Sequence, residues 1–183
     1  MPKLLGIAGS LRTKSFNRML VAYAAKTAPE GTTIEIFDLK PIPFFDEDVE
    51  AQGYHDAVAK MQAAVGASDG VLIATPEYNS GIPGVLKNAL DWMSRPPGKS
   101  NCAGKPVMVM STSSGASGGI RAQVSLLPVL TGMGMLPLVG VAAAVPNAEA
   151  SFDADGNLTD DRAKTMIAGQ LKAFAAWIER LKR

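Results

Sequence analysis

The sequence predicts an α/β protein, a doubly wound parallel sheet held between two layers of helices. Three observations predict it. Five short apolar runs are bounded by turn residues. Several of them are continuous rather than alternating, the pattern of strands buried on both faces of a parallel sheet. Segments of helical spacing separate the runs, and right-handed crossovers then leave a three-layer sandwich.

The expected strands are Lys3–Ala8, Thr33–Phe37 with its β-branched Thr33, Ile34 and Ile36, Gly70–Thr75, Pro106–Ser111 and Leu136–Ala142. The first helix is expected over Phe16–Thr27, with Phe16, Leu20, Tyr23 and Thr27 on one stripe. A second, Tyr54–Val65, brings Val58, Met61 and Val65 together, with His55 an ordinary member. Ile82–Met93 is the clearest: Ile82, Val85, Leu86, Ala89, Leu90 and Met93 follow the i, i+3, i+4 series, and Pro83 suits a first turn. Gly118–Thr131 is the fourth. The last starts with Thr159 as N-cap, carries Asp160 and Asp161 in its first turn, and ends in Arg180, Lys182 and Arg183. Those charges complement the helix dipole.

The chain has 183 residues, 47% apolar and 19% charged. That suits one globular domain spanning 1–183 rather than a disordered or coiled-coil chain. A net charge of +1 argues against nucleic acid as a partner. The single cysteine, Cys102, excludes an internal disulfide and a Cys-cluster metal site, and the single histidine excludes mechanisms that need two. The apolar run at the N-terminus is too short for a signal peptide, so a cytoplasmic setting is expected. Residues 122–148 carry no charge, but Pro128, Gly132, Gly134, Pro137, Gly140 and Pro146 interrupt them, so no membrane span is expected.

Ligands of a doubly wound sheet bind beyond the C-terminal strand ends, at the switch point. Function is therefore expected in the loops after strands one, three and four. The first, residues 9–17, offers Ser10, Thr13, Ser15, Asn17, Arg12 and Lys14 at a helix start and contains no acid. Free backbone N–H groups, hydroxyls and a guanidinium suit a phosphate dianion. The third-strand loop, residues 76–83, sets Glu77, Tyr78 and Asn79 between prolines and can present a flat face to a planar ring. The fourth-strand loop, residues 113–119, has three glycines that permit close backbone approach.

Competing motifs fail on spacing. Gly98-Lys99-Ser100 ends like a Walker A loop, but residue 93 is Met. The first loop is not GxGxxG, so Asp38 reads as a strand-end turn residue rather than a ribose ligand. Gly115-Ala116-Ser117-Gly118-Gly119 matches GxSxG, but His55 precedes the serine and the required acid–histidine order cannot be built. Residues 153–157 have calcium-loop spacing with a misplaced glycine and Lys164 at the twelfth position. Asn157-Leu158-Thr159 is a sequon without a secretion route, and Cys102 has no neighbouring base.

Taken together, Gly9-Ser10-Leu11-Arg12-x-x-Ser15-x-Asn17, Pro76-Glu77-Tyr78-Asn79 and Lys87-Asn88-Ala89-Leu90-Asp91-Trp92 resemble the NADPH-dependent FMN reductase family, the flavodoxin-like group of quinone, chromate and azo-dye reductases. The resemblance spans nearly the whole chain and implies a five-stranded parallel sheet of order 2-1-3-4-5. It implies FMN as cofactor, with Ser10, Arg12, Ser15 and Asn17 holding its phosphate and Leu11 and Phe16 also among the cofactor-binding residues. Pro76, Glu77, Tyr78 and Asn79 would line the ring, and Ser113, Ser114 and Gly115 would approach it from the other loop. It further implies a homodimer or a tetramer built of two dimers, with the Ile82 helix touching a partner. The activity implied is hydride transfer from NADPH or NADH through FMN to a small-molecule acceptor such as a quinone, azo compound, chromate or free flavin, by ping-pong turnover. No side chain is assigned as a catalytic acid or base, because the flavin carries the redox chemistry. The alternative is a flavodoxin-type electron carrier that binds FMN without turning over NAD(P)H. Such carriers are acidic as a group, and this chain is not.

Overall fold

The computed structural model describes residues 1–140 and 142–182. Its strands are β1 (Lys3–Ala8), β2 (Thr33–Phe37), β3 (Gly70–Thr75), β4 (Pro106–Thr112), β5 (Leu136–Pro137) and β6 (Ala143–Val145). They form one sheet of order β2-β1-β3-β4-β5, with β6 also on β4. Every pairing is parallel.

The continuous apolar runs have the expected cause. Leu5, Ile7, Val71, Ile73, Val107 and Val109 belong to one buried cluster, and Leu4, Ala8, Leu72, Ala74, Met108 and Met110 to the other. Alternate residues of each strand thus serve opposite faces. Helices α3 (Asp56–Ala67), α4 (Gly84–Met93) and α5 (Ile120–Gly132) cover the first face, and α1 (Phe16–Lys26) and α7 (Asp161–Leu181) the second. Two short helices, Glu47–Ala51 (α2) and Ala148–Ser151 (α6), complete the order.

The structure corrects several expectations. The run Leu136–Ala142 is not one strand. It pairs with Pro106 and Val107 at its start, and a second piece, β6, pairs with Met110, Ser111 and Thr112. Between them Gly140 takes φ 87° and turns the chain out of line; residue 141 lies outside the described residues. The sheet therefore has six strands rather than five. The last helix is capped by Asp160, whose side chain accepts from Ala163 N at 2.8 Å, not by Thr159; Arg183 lies outside the described residues. His55 is the N-cap of α3 and its Nδ1 accepts from Ala57 N at 3.2 Å. On α1 the buried stripe is Asn17, Leu20, Val21 and Ala24 rather than Phe16, Leu20, Tyr23 and Thr27. The rotation is possible because Asn17 finds buried hydrogen-bond partners. The apolar stripe of α4 serves the protein's own core: Leu86, Ala89, Leu90 and Met93 are buried.

Candidate functional site

Because β1, β3 and β4 are parallel neighbours, the loops that follow them open at one end of the sheet. They enclose a cleft of about 360 Å³ lined by Ser10, Arg12, Ser15, Phe16 and Asn17, by Pro76, Glu77 and Tyr78, and by Thr112, Ser113, Ser114, Gly115, Ser117 and Arg121. Eleven of the thirteen residues expected at the site meet here. Leu11 and Asn79 do not line the cleft. The Leu11 side chain is 47% exposed. Asn79 and Ser80, at φ 50° and 63°, form the left-handed turn that lets Tyr78 and Gly81 exchange two 3.0 Å hydrogen bonds.

The first wall is a helix start whose chemistry suits an anion. Ser15 caps α1, its side chain accepting from Arg18 N at 3.4 Å, and no acid stands in the first turn. The Ser10 hydroxyl accepts from Arg12 N at 3.3 Å. Arg12 lies over the Phe16 ring, 5.9 Å from its centroid, and Phe16 packs on Phe152 at 5.5 Å. The first-turn N–H groups of α1 and the Arg12 cation thus face one end of the cleft, where an anion is favoured.

Asn17 departs from a simple phosphate ligand. It is 3% exposed. Its Nδ2 donates to Thr112 O at 3.0 Å, and Thr112 N donates to its Oδ1 at 3.1 Å. The side chain ties the start of α1 to the end of β4.

Glu77, which lines the cleft, also spends its polar atoms within the protein. Its carboxylate accepts from Arg121 Nε at 2.6 Å and from Arg121 N at 3.1 Å. Gly119, the N-cap of α5, provides no side-chain bond, so Glu77 caps that helix from another loop. Gly119 and Gly118 hold φ 86° and 60°, and a Cβ on Gly118 would come within 2.7 Å of Ala144 C. The third wall can pass that close to β6 only through glycine. At the rim the Ser114 hydroxyl donates to Glu149 Oε1 at 2.5 Å, and that bond holds the Glu149 carboxyl below the ordinary range.

Sequence reasoning missed Thr112 and Arg121. Thr112 falls between the expected end of a strand and the start of a loop. Arg121 had a readable signal: a cation in the first turn of a helix opposes the dipole and calls for an acid.

Ser117 lines the cleft, while His55 caps α3 and is not among the lining residues. Residues 98–100 follow α4, at the opposite end of the sheet. Asp153 Oδ1 accepts from Asp155 N at 3.0 Å and Asn157 N at 2.8 Å, so it serves its own turn. Among the described residues no cluster of three His, Cys, Asp or Glu side chains could hold a metal. Cys102 is buried, and burial pushes its thiol up to about 11, which leaves it unreactive near neutrality. No described helix is long and apolar enough to cross a membrane.

A parallel sheet of order 2-1-3-4-5 with its crevice between the first and third strands is a flavodoxin-like fold, built to hold a phosphate-bearing ligand at that switch point. The profile of the NADPH-dependent FMN reductases matches residues 2–150. An NAD(P)H-dependent FMN reductase of Pseudomonas aeruginosa is 42% identical over 180 residues, covering 98% of this chain and 97% of that one. A quinone reductase of Escherichia coli is 34% identical over 183 residues, covering 98% and 97%. Among solved structures, the flavoenzyme NAD(P)H:(acceptor) oxidoreductase of Paracoccus denitrificans superposes with a TM-score of 0.90 at 32% identity, covering 98% of each chain. The chain belongs to the NADPH-dependent FMN reductase family. It is an oxidoreductase whose cofactors are FMN and NAD(P)H.

Proposed function

We propose that the cleft seats FMN with its phosphate on the turn of residues 10–17 and its ring between residues 76–79 and 113–115. The observation that carries this reading is the acid-free N-terminus of α1, with Ser10, Ser15 and Arg12 facing one end of the cleft. The donor set fits a phosphate dianion, and the buried Thr112 hydroxyl, which has no hydrogen-bond partner among the described residues, fits an oxygen-rich surrounding. Bound there, FMN supplies the redox chemistry, taking a hydride from NAD(P)H and passing two electrons onward. The chain binds and orients. Arg12 and the α1 N-terminus hold the charged end, and Pro76 and Tyr78 form one side of the slot. The Glu77–Arg121 tie fixes the distance between the two ring-side loops, and the glycine-bearing third wall lets backbone come close.

Donor and acceptor use the same open face in turn, so turnover is ping-pong. A quinone is the acceptor class that the relatives' names favour; azo compounds, chromate and free flavin are further candidates. The assembly proposed is a homodimer or a tetramer of two dimers, favoured by the exposed apolar side chains of Phe44 (88%), Val124 (61%) and Val139 (70%). The proposed setting is the cytoplasm, where the lone Cys102 thiol stays reduced.

The test is the visible spectrum of the purified protein after FMN loading, before and after anaerobic NADPH. Bound flavin absorbance that NADPH bleaches and a quinone restores is expected. Protein that takes up no FMN overturns the reading of the cleft.

A further inference from the structure

Arg121 stands in the first turn of α5 and lines the cleft. A cation there opposes the helix dipole, so the position is unfavourable for the helix itself. Glu77 offsets it: the carboxylate accepts from Arg121 Nε at 2.6 Å and lies 2.5 Å from Nη2. The two partners are unequally exposed. The Glu77 side chain is 7% exposed and the Arg121 side chain 63%. The acid is thus a buried anchor, and the guanidinium is the end presented to the cleft. Its Nη1 takes part in no hydrogen bond or ion pair among the described residues.

This is not an ordinary surface pair. Lys87 with Asp91 and Lys164 with Asp161 join neighbours on one helix, and none of these four residues lines the cleft. A guanidinium held along one edge keeps its other N–H groups in a fixed plane, so little side-chain freedom is lost when they meet an oxyanion. Arg12 and Arg121 are the cations among the described lining residues, and they belong to different walls. With FMN seated as proposed above, its phosphate occupies Arg12 and leaves Arg121 beside the ring-side loops. The second reactant there is NAD(P)H, whose nicotinamide must reach the open face of the ring. It carries a pyrophosphate and, in NADPH, a 2′-phosphate, and a fixed fork of N–H donors suits either group.

We propose that Arg121 binds a phosphate group of the nicotinamide nucleotide through the edge that Glu77 leaves free. The assignment rests on FMN occupying the cleft as described above.

The test compares FMN-loaded wild type with Arg121→Gln, Arg121→Met and Glu77→Gln at low ionic strength, where an exposed charge is least screened. Calorimetric titration with NADP⁺ and NAD⁺ gives dissociation constants without turnover. The concentration dependence of anaerobic flavin reduction gives those of NADPH and NADH. Arg121→Gln and Arg121→Met both remove the charge, and the glutamine can still donate to Glu77, so either variant that loads FMN serves. The NADP⁺ and NADPH constants are expected to rise about tenfold in both, within the range for a lost bond to a charged group. Glu77→Gln keeps the cation and removes a neighbouring negative charge, so its constants stay at the wild-type value or fall. A rise confined to NADP⁺ and NADPH assigns the contact to the 2′-phosphate; an equal rise with NAD⁺ and NADH assigns it to the pyrophosphate. Equal weakening by Glu77→Gln and Arg121→Gln would mean that Arg121 acts only through the tie between the loops, and it overturns the assignment. Nucleotide constants unchanged in the Arg121 variants overturn it as well and leave the cleft reading standing. Wild-type protein that takes up no FMN overturns both.

Discussion

The two ends of the sheet carry similar residues and treat them differently. At the N-terminal end, Lys3 N donates to Asp69 Oδ2 at 2.7 Å, Lys182 Nζ lies 3.3 Å from Asp69, and Lys105 Nζ donates to Ser68 O at 2.5 Å. Asp69 is held below the ordinary carboxylate value of 3.8, first by the Lys3 backbone bond and then by Lys182. Burial pushes Lys105 down. At the C-terminal end, among the described residues, Arg12 belongs to no ion pair and the Thr112 hydroxyl has no hydrogen-bond partner. The depression at the first end is the larger, about 450 Å³ against 360 Å³, yet its Asp69, Lys105 and Lys182 already have partners within the protein. Unspent polar groups, not volume, distinguish a site from a surface hollow.

Three substitutions sharpen the contrast. Asn17→Ala should have the largest effect. It strands a buried N–H and a buried C=O of Thr112, each worth about 1–3 kcal/mol. Urea unfolding of the apoprotein should show that loss, with FMN and riboflavin binding weakened together. Undiminished stability would mean that the α1 turn and the β4 end do not depend on each other. Arg12→Ala should leave apoprotein stability near wild type and weaken FMN binding by about 1.5–3 kcal/mol, the range for a hydrogen bond to a charged group. Riboflavin, lacking the phosphate, should bind both proteins alike; a matching loss with riboflavin would place Arg12 elsewhere on the ligand. Asp69→Asn should have the smallest effect, about 1 kcal/mol or less for a partly exposed pair, with FMN affinity untouched. Because the folded Asp69 pKa lies below its unfolded value, its charge stabilises above the unfolded pKa. That contribution fades as pH falls through the folded pKa. The Tm gap between wild type and Asp69→Asn should thus be present at pH 7 and close in acid; a gap that persists in acid would show that the Asp69 charge is not its source.

Much of this was legible in the chain itself. The apolar runs and helical spacings gave the strand–helix order, and the residues around Arg12 and Tyr78 marked the candidate site. Other features were not. The interruption between β5 and β6 needed the φ of Gly140, which composition does not reveal. Asn17 and Glu77 read as ligand residues, but the fold spends their polar side chains on Thr112 and Arg121. Thr112, in turn, looked like the inert end of a strand.

Sequence alone determined the strand–helix order and the end of the sheet where the candidate site opens, because apolar periodicity and helix-start chemistry are local and survive in one dimension. Tertiary structure alone decided which polar groups remain available to a ligand. Asn17 meets its partner 95 residues away and Glu77 meets its own 44 residues away, and no local pattern records which side chains such distant pairings consume.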